Sequence, residues 1–425
     1  MKKTLLLTIC CILSFAASAQ DKFVGGDISM LKKFIEEGAI YNDKDGNAVQ
    51  PLAFFKEQGW NAMRVRLFVD PTKATEKERK QGAIQDLNYV IALGKQIKDA
   101  GYSFMLDFHY SDTWTDPGQH STPSAWSSMS AEQLKTEVYN YTKSCLQQLN
   151  TGDATPDFIQ VGNEITTGML WPTGKIYASG GAPTGGSWDN FASYLANGIK
   201  ACNEECPNAK IVIHTELHAI NDVPAFYNNL AAYTDVKYDI IGLSYYPDFH
   251  GTVASLGNLL TTLESQHADK KIMIVETCYG FEWALKGAKA EYKNQYPLSE
   301  EGQKQFANAL IDMLNNHPNV NGLYWWYPEY TLNNIVFVNG TEDWSKDFTD
   351  GYWNGALFHY KTGKAMPAIA ELKSFLGDPS GIETINREPL TVNQHAWYTL
   401  DGRKLNGAPN QRGIYIHNGK KMVVR

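Results

Sequence analysis

Four cysteines are all that remain in this 425-residue chain once its first 19 residues are set aside: Cys145, Cys202, Cys206 and Cys278. Four in a chain this long make no disulfide framework, and a core of this size needs no such staples. Cys202 and Cys206 fall four apart, near one face of a helix, but no second Cys/His pair lies close enough to complete a zinc site. The thiols read as small buried apolar residues, with one disulfide left open. Basic charge is also scarce: 38 Lys and Arg stand against 46 Asp and Glu, for a formal net charge of −8. No nucleic-acid partner is expected. Nor does any long apolar run follow the first residues, so no membrane span is expected. Aromatic residues, in contrast, are plentiful. With 23 Tyr, 18 Phe and 11 Trp the chain carries far more core-forming surface than a solvated coil.

The start of the chain reads as an export signal. Met1-Lys2-Lys3 is a short positive region, Leu5 to Phe15 an apolar one, and Ala17-Ser18-Ala19 a small-x-small cleavage pattern. Residues 1–19 are therefore expected to be removed, and the protein to be secreted or extracytoplasmic, in the periplasm or at the cell surface. Cys10 and Cys11 do not make a lipoprotein site, because both lie inside the apolar region and bulky residues precede them.

Short runs rich in β-branched and aromatic residues then recur, each followed by a loop and a helical stretch. Strands are expected at Phe23–Ile28, Ala62–Phe68, Tyr102–His109, Phe158–Asn163, Lys210–His214, Ile240–Tyr246, Lys271–Glu276 and Gly322–Tyr327. Continuous apolarity such as Ile272-Met273-Ile274-Val275 suits strands buried on both faces, hence a parallel sheet. Amphipathic segments lie between them at Gln85–Ala100, Ala131–Gln148 and Glu300–Asn315; Ser130 with Gln133 forms a capping box before the second, and Ser299 caps the third. Eight β-then-α units argue for a (β/α)8 TIM barrel over residues 20–376. An open doubly wound sheet would call for an early Gly-rich phosphate turn, and none is present. From 377 to 425 the texture changes to a turn-rich linker and a small β-hairpin appendage, with strands at Trp397–Leu400, Gly413–His417 and Lys421–Val424 around the turn dipeptides Asp401-Gly402 and Asn418-Gly419.

The polar clusters fall at the C-terminal ends of these strands, where a barrel enzyme keeps its site. Arg64 and Arg66 close the second, Asp107 and His109 the third, Asn163 and Glu164 the fourth, and His214 the fifth. Ser244 and Tyr246 close the sixth, Glu276 the seventh, and Trp325 and Trp326 the eighth. A single strand-end glutamate is most simply a structural carboxylate. Glu164 and Glu276 end strands four and seven of one barrel and can meet across its mouth. At a separation of about 5–5.5 Å two carboxyl groups perform retaining glycoside hydrolysis, one as acid/base and one as nucleophile.

The sequence resembles glycoside hydrolase family 53, the endo-β-1,4-galactanases, of the clan whose catalytic glutamates end strands four and seven. The resemblance rests on Gly26-Asp27-Ile28-Ser29, Arg64-Val65-Arg66, the run from Leu106 to Asp112 with Trp114-Thr115-Asp116-Pro117, Val161-Gly162-Asn163-Glu164-Ile165 and Gly168 to Pro172. It continues in Gly242 to Pro247, His250-Gly251 and Val275-Glu276-Thr277, so that it spans about residues 23–376. It implies a retaining endo-β-1,4-galactanase cutting the galactan side chains of pectin, with Glu164 as acid/base and Glu276 as nucleophile. Glu164 would have to stay protonated, and Glu276 ionised by donors such as Arg66 and Tyr246. Asn163 would bond the sugar 2-hydroxyl and Trp326 would lie beneath the sugar being cleaved. Asp107, His109 and His214 would contact the sugar or hold groups that do. Trp114 and Trp171, on the loops after strands three and four, would offer rings to further sugars. Another glycanase of the clan, acting on mannan, xylan or glucan, is the alternative enzyme, and a non-catalytic sugar-binding barrel the alternative of another class.

Two stretches depart from the family pattern. The last-strand Trp is usually followed by Glu-Pro-Ala-Trp, where this chain has Tyr327-Pro328-Glu329-Tyr330. Some bacterial members bind calcium in the loop Thr331–Asn354; its aspartates Asp343, Asp347 and Asp350 show no regular ligand spacing, so no cofactor is expected to be required and a structural calcium is left open. The tail, with Trp397 to Arg403 and Gly413 to Ile416, resembles C-terminal sorting-type modules of secreted Gram-negative bacterial proteins. A polysaccharide is the expected partner, and a monomer the expected state.

Overall fold

The computed structural model describes residues 22–217, 222–285, 287–333 and 352–377, and in the tail 397–399, 404–405, 407–409, 412–417 and 420–424. The expected export signal and the aspartates Asp343, Asp347 and Asp350 lie outside the described residues, as do the two turn dipeptides of the tail. The chain divides after Gly377 into two compact units.

The first unit is a closed barrel of eight parallel strands. They are β1 (Phe23–Asp27), β2 (Ala62–Leu67), β3 (Ser103–Phe108), β4 (Phe158–Val161), β5 (Lys210–Glu216), β6 (Ile240–Ser244), β7 (Lys271–Thr277) and β8 (Val320–Trp326), with β8 closing onto β1. No strand end departs from its sequence expectation by more than two residues. Six long helices follow strands two to seven: α1 (Leu87–Asp99), α2 (Ala131–Thr151), α3 (Trp188–Glu205), α4 (Asp222–Leu230), α5 (Val253–Gln266) and α6 (Glu300–Leu314). Side chains of Asp86, Ser130, Ser187, Thr252 and Ser299 accept the free amides at the starts of five of these. Each such cap is worth about 1 kcal/mol. A two-strand hairpin, Tyr41–Asn42 with Ala48–Val49, is an addition that no periodicity announces.

Strand period two sorts the side chains. On β2, Met63, Val65 and Leu67 face outward to the helices, and Ala62, Arg64 and Arg66 face the barrel axis. The inward set is layered along the axis. Ala62, Met105, Phe158, Val212, Ile240, Met273 and Tyr324 fill the floor with apolar bulk, against which Phe23 packs. Above it come Arg64, Asp107, Gln160 and His214, all without solvent exposure. β7 breaks the alternation. Its pairing with β6 skips from Leu243↔Ile274 to Ser244↔Glu276, and the bulge turns Glu276 to the mouth although Val275 already faces the floor. All four cysteines of the described barrel are free and buried, so the disulfide left open by the sequence does not form.

The second unit holds a four-stranded antiparallel sheet, Trp397–Thr399, Lys404–Leu405, Gly413–His417 and Lys420–Val424, with the Trp397 and His417 rings stacked.

Candidate active site

Glu164 follows β4 and Glu276 lies near the end of β7. A carboxylate oxygen of each and a ring nitrogen of His214 all lie within 4.8 Å of one another. The two acids have different partners. Glu276 is buried between Arg64, whose Nη2 is 2.9 Å from Oε1, and Tyr246, whose hydroxyl donates to Oε2 at 2.9 Å. The Glu164 carboxyl is instead bonded by the Ser244 hydroxyl. It has no cationic partner among the described residues. Burial pushes Glu164 well above the usual carboxylate range, and the negative neighbours Glu276 and Glu216 push it further. Burial also raises Glu276, to about 7, against the pull of Arg64 and Tyr246. Both rise, which corrects the expectation of a Glu276 held firmly ionised. The difference between them survives, because only Glu276 touches a guanidinium. The pair therefore loses its first proton from Glu276 and keeps the second on Glu164.

The cation beside Glu276 is Arg64, not Arg66 as the sequence suggested. Arg64 binds Asp27 Oδ2 and Asp107 Oδ2, both at 2.8 Å, Asn163 Oδ1 at 3.0 Å and Gln160 Oε1 at 3.3 Å. Its guanidinium holds three carboxylates and two amides. Breaking such a buried set costs about 3–5 kcal/mol, since the stranded charges stay buried. Arg66 instead bonds Asp27 Oδ1 and the Tyr327 hydroxyl, each at 2.8 Å. Its guanidinium carbon lies 4.6 Å from the Trp114 ring centre, 5.1 Å from Trp326 and 4.9 Å from Tyr327. The residue is fully buried, so it braces these rings and offers no surface to a ligand.

Asp107 and His214 are likewise without exposure, and both were expected nearer a ligand. They orient other groups. His109 accepts the Thr115 amide at Nδ1, so Nε2 carries its hydrogen toward Asp107, 3.2 Å away. His214 accepts the Glu164 amide at Nδ1 and donates from Nε2 to the Ser244 hydroxyl at 2.8 Å. Burial holds both imidazoles below their ordinary pKa, hence neutral. Asn163 spends one amide hydrogen on the Thr115 carbonyl and keeps a little exposure at the mouth. Trp326 and Trp114 meet edge to face at 6.2 Å, and Trp114 is partly exposed. Trp171 is also partly exposed, with the Lys175 ammonium 3.5 Å from its ring centre.

Sequence reasoning assigned no role to Asp27, Gln160 or Glu216. Asp27 could have been found, because it ends β1 as the other polar residues end theirs. Gln160 faces inward in mid-strand and Glu216 lies beyond the expected end of β5, where no periodic signal reaches. Glu216 lies 3.4 Å from His250 Nε2, and His250 Nδ1 accepts the Tyr246 amide. At the departure from the family pattern, Tyr327 reaches Arg66, and Glu329 is fully buried with Oε1 accepting the Met30 amide at 3.0 Å. Burial, then nearby Asp27, pushes Glu329 up to about 8.

Among the described residues, one group of His, Cys, Asp or Glu has metal-ligand spacing, and it is Glu164, His214 and Glu276 themselves. It fits a cation poorly. Both His214 nitrogens are in hydrogen bonds, and an arginine already neutralises Glu276. What the arrangement can do is hold one carboxyl protonated and its neighbour ionised across a narrow gap, beside a neutral imidazole.

Residues 23–372 match the sequence model of glycosyl hydrolase family 53. An uncharacterized protein of Niallia circulans is 34% identical over 364 residues, covering 83% of this chain and 94% of that one. Arabinogalactan endo-beta-1,4-galactanase A of Aspergillus niger is 30% identical over 343 residues, covering 77% and 90%. Among solved structures, the family 53 catalytic domain of Ignisphaera aggregans superposes with a TM-score of 0.71 at 31% identity, covering 84% of this chain and 97% of that domain.

Proposed function

Because the chain belongs to glycosyl hydrolase family 53, and is thus a glycoside hydrolase on a (β/α)8 barrel, we propose that it cuts β-1,4-galactan internally, with retention at the anomeric carbon. Glu276 attacks that carbon while Glu164 gives its proton to the departing glycosidic oxygen. Water then enters, Glu164 takes its proton, and the bond to Glu276 breaks. The observation that carries this reading is the approach of the two acids within 4.8 Å, one against Arg64 and the other against no cation among the described residues. An inverting pair needs about 6.5–9.5 Å to admit a water between sugar and base. In this reading Asn163 bonds the 2-hydroxyl, and Trp326 lies beneath the reacting ring.

The substrate we propose is the unbranched galactan of pectin side chains. The Aspergillus relative's name points to this linkage, and geometry favours it. The axial 4-hydroxyl of galactose curls the polymer, so rings on two different loops, Trp114 and Trp171, suit it better than a flat row. A site that bonds an axial hydroxyl leaves polar groups unpaired against the equatorial epimer, which can cost about 10⁴–10⁵ in rate. We further propose that residues 1–19 direct export, that 377–425 act as a sorting module, and that the enzyme works as a monomer without a metal.

Reducing-sugar release from unbranched galactan, beside cellulose, xylan and mannan, tests this reading. Short oligosaccharides are expected from galactan alone, with the β-anomer appearing first by NMR. Galactose as sole product would refute internal cutting, comparable rates on glucan would refute the substrate, and an α-anomer first would refute double displacement.

A further inference from the structure

Glu164 stands in the left-handed region, with φ 48° and ψ 44°. For a residue with a Cβ this conformation costs on the order of 1–2 kcal/mol and needs support from its surroundings. The support comes from two imidazoles on other elements. The Glu164 amide donates to His214 Nδ1 at 3.2 Å, and the Glu164 carbonyl faces His120 Nε2 at 3.2 Å. A carbonyl can only accept, so His120 carries its hydrogen on Nε2. Its Nδ1, buried, has no hydrogen-bond partner among the described residues, so nothing there competes for the other tautomer.

His120 is itself well anchored. It is 1% exposed, its ring centre lies 5.6 Å from that of Trp171, and its carbonyl accepts the Trp171 amide at 2.8 Å. The adjoining Ser121–Trp171 bridge ties the loop after β3 to the loop after β4. Burial pushes the imidazole down to about 3, against the pull of its bond to the Glu164 carbonyl and with the Lys175 ammonium working the same way as burial, so it stays neutral wherever the enzyme is folded and active.

We propose that His120 is a positioning residue for proton transfer: its Nε2–H holds the carbonyl of Glu164, and with His214 it fixes the left-handed backbone from which the acid/base carboxyl points at the glycosidic oxygen. This rests on Glu164 being the acid/base. A positioning role makes a demand that a filling role does not. Misplacing the acid slows substrates whose leaving group needs a proton and spares those whose leaving group does not.

The test compares His120→Leu, which fills the space without a donor, with His120→Gln, whose amide can donate to the same carbonyl. Each is assayed on unbranched galactan and on 2,4-dinitrophenyl β-galactobioside. Read as kcat/KM, which reports the first, leaving-group-dependent step, His120→Leu is expected to lose roughly 10²-fold on galactan, as a misplaced catalytic group does, and only a few-fold on the activated glycoside. His120→Gln is expected to recover most of the loss. Equal losses on both substrates, or a Gln variant no better than Leu, would overturn the proposal. Should His120→Leu fail to fold, His120→Ala, which adds no bulk, is read the same way. Glu164→Ala separates the two ideas. If it too loses equally on both substrates, the acid/base reading has failed; if it shows the leaving-group pattern and the His120 variants do not, only the role of His120 has.

Discussion

Replacing Tyr246 by Phe removes the hydrogen bond that its hydroxyl donates to Glu276. The ring stays, Arg64 still holds Oε1, and Oε2 loses the donor 2.9 Å away. A hydrogen bond to a charged group is worth about 1.5–3 kcal/mol. At 1.36 kcal/mol per pKa unit, its loss raises the carboxyl by about 1–2 pH units, starting from about 7. The sign follows from the role of Glu276, which must be ionised to attack, so activity rises with pH through its titration. Weakening the charged form moves this acid limb upward. The loss should be roughly 10–100-fold near pH 6 and should shrink as pH rises, until deprotonation of Glu164 closes the profile. The assay is kcat/KM on galactan across the pH range, which reports the free enzyme. A uniform fall at every pH, or an acid limb that stays in place, would show that Tyr246 does not set the charge of Glu276.

Three other outcomes follow from the same geometry. Glu276→Ala should lose turnover by at least about 10⁴-fold while keeping the fold, and azide should restore cleavage of an aryl β-galactobioside with inversion by entering the vacated space; undiminished activity would end the assignment. Glu329, raised to about 8, stays protonated in the folded chain where an unfolded glutamate ionises, so its contribution falls as pH rises from about 4.5 to about 8. Glu329→Gln should therefore melt higher than the parent at alkaline pH, by on the order of a few kcal/mol of stability, with little difference near pH 5; a gain independent of pH would contradict this. Truncation after Gly377 should leave activity per molecule within about twofold, because every residue named in the cleft precedes it, and a several-fold loss on soluble galactan would place the tail in catalysis.

Much of this was legible before any coordinate. Apolar runs, helix caps and loops are local signals, so the eight strands could be located to within two residues and three of the long helices to within three. Because a parallel barrel gathers its strand ends at one rim, polar residues at those ends could be grouped into one site, and Glu164 and Glu276 paired within it. What the sequence could not decide is how far each side chain reaches once the barrel closes. Arg64 and Arg66 look equivalent, two apart on one strand; the stagger of neighbouring strands gives Arg64 to Glu276 and encloses Arg66 among three aromatic rings. Glu276 faces the mouth only because a bulge against β6 offsets the alternation, which is a property of the pairing and not of the strand. His120 lies 44 residues from the carbonyl it faces, and loop periodicity has no means to bring the two together. The raised acidities also belong to the fold, since burial is their largest cause and burial exists only when all eight strands enclose the site.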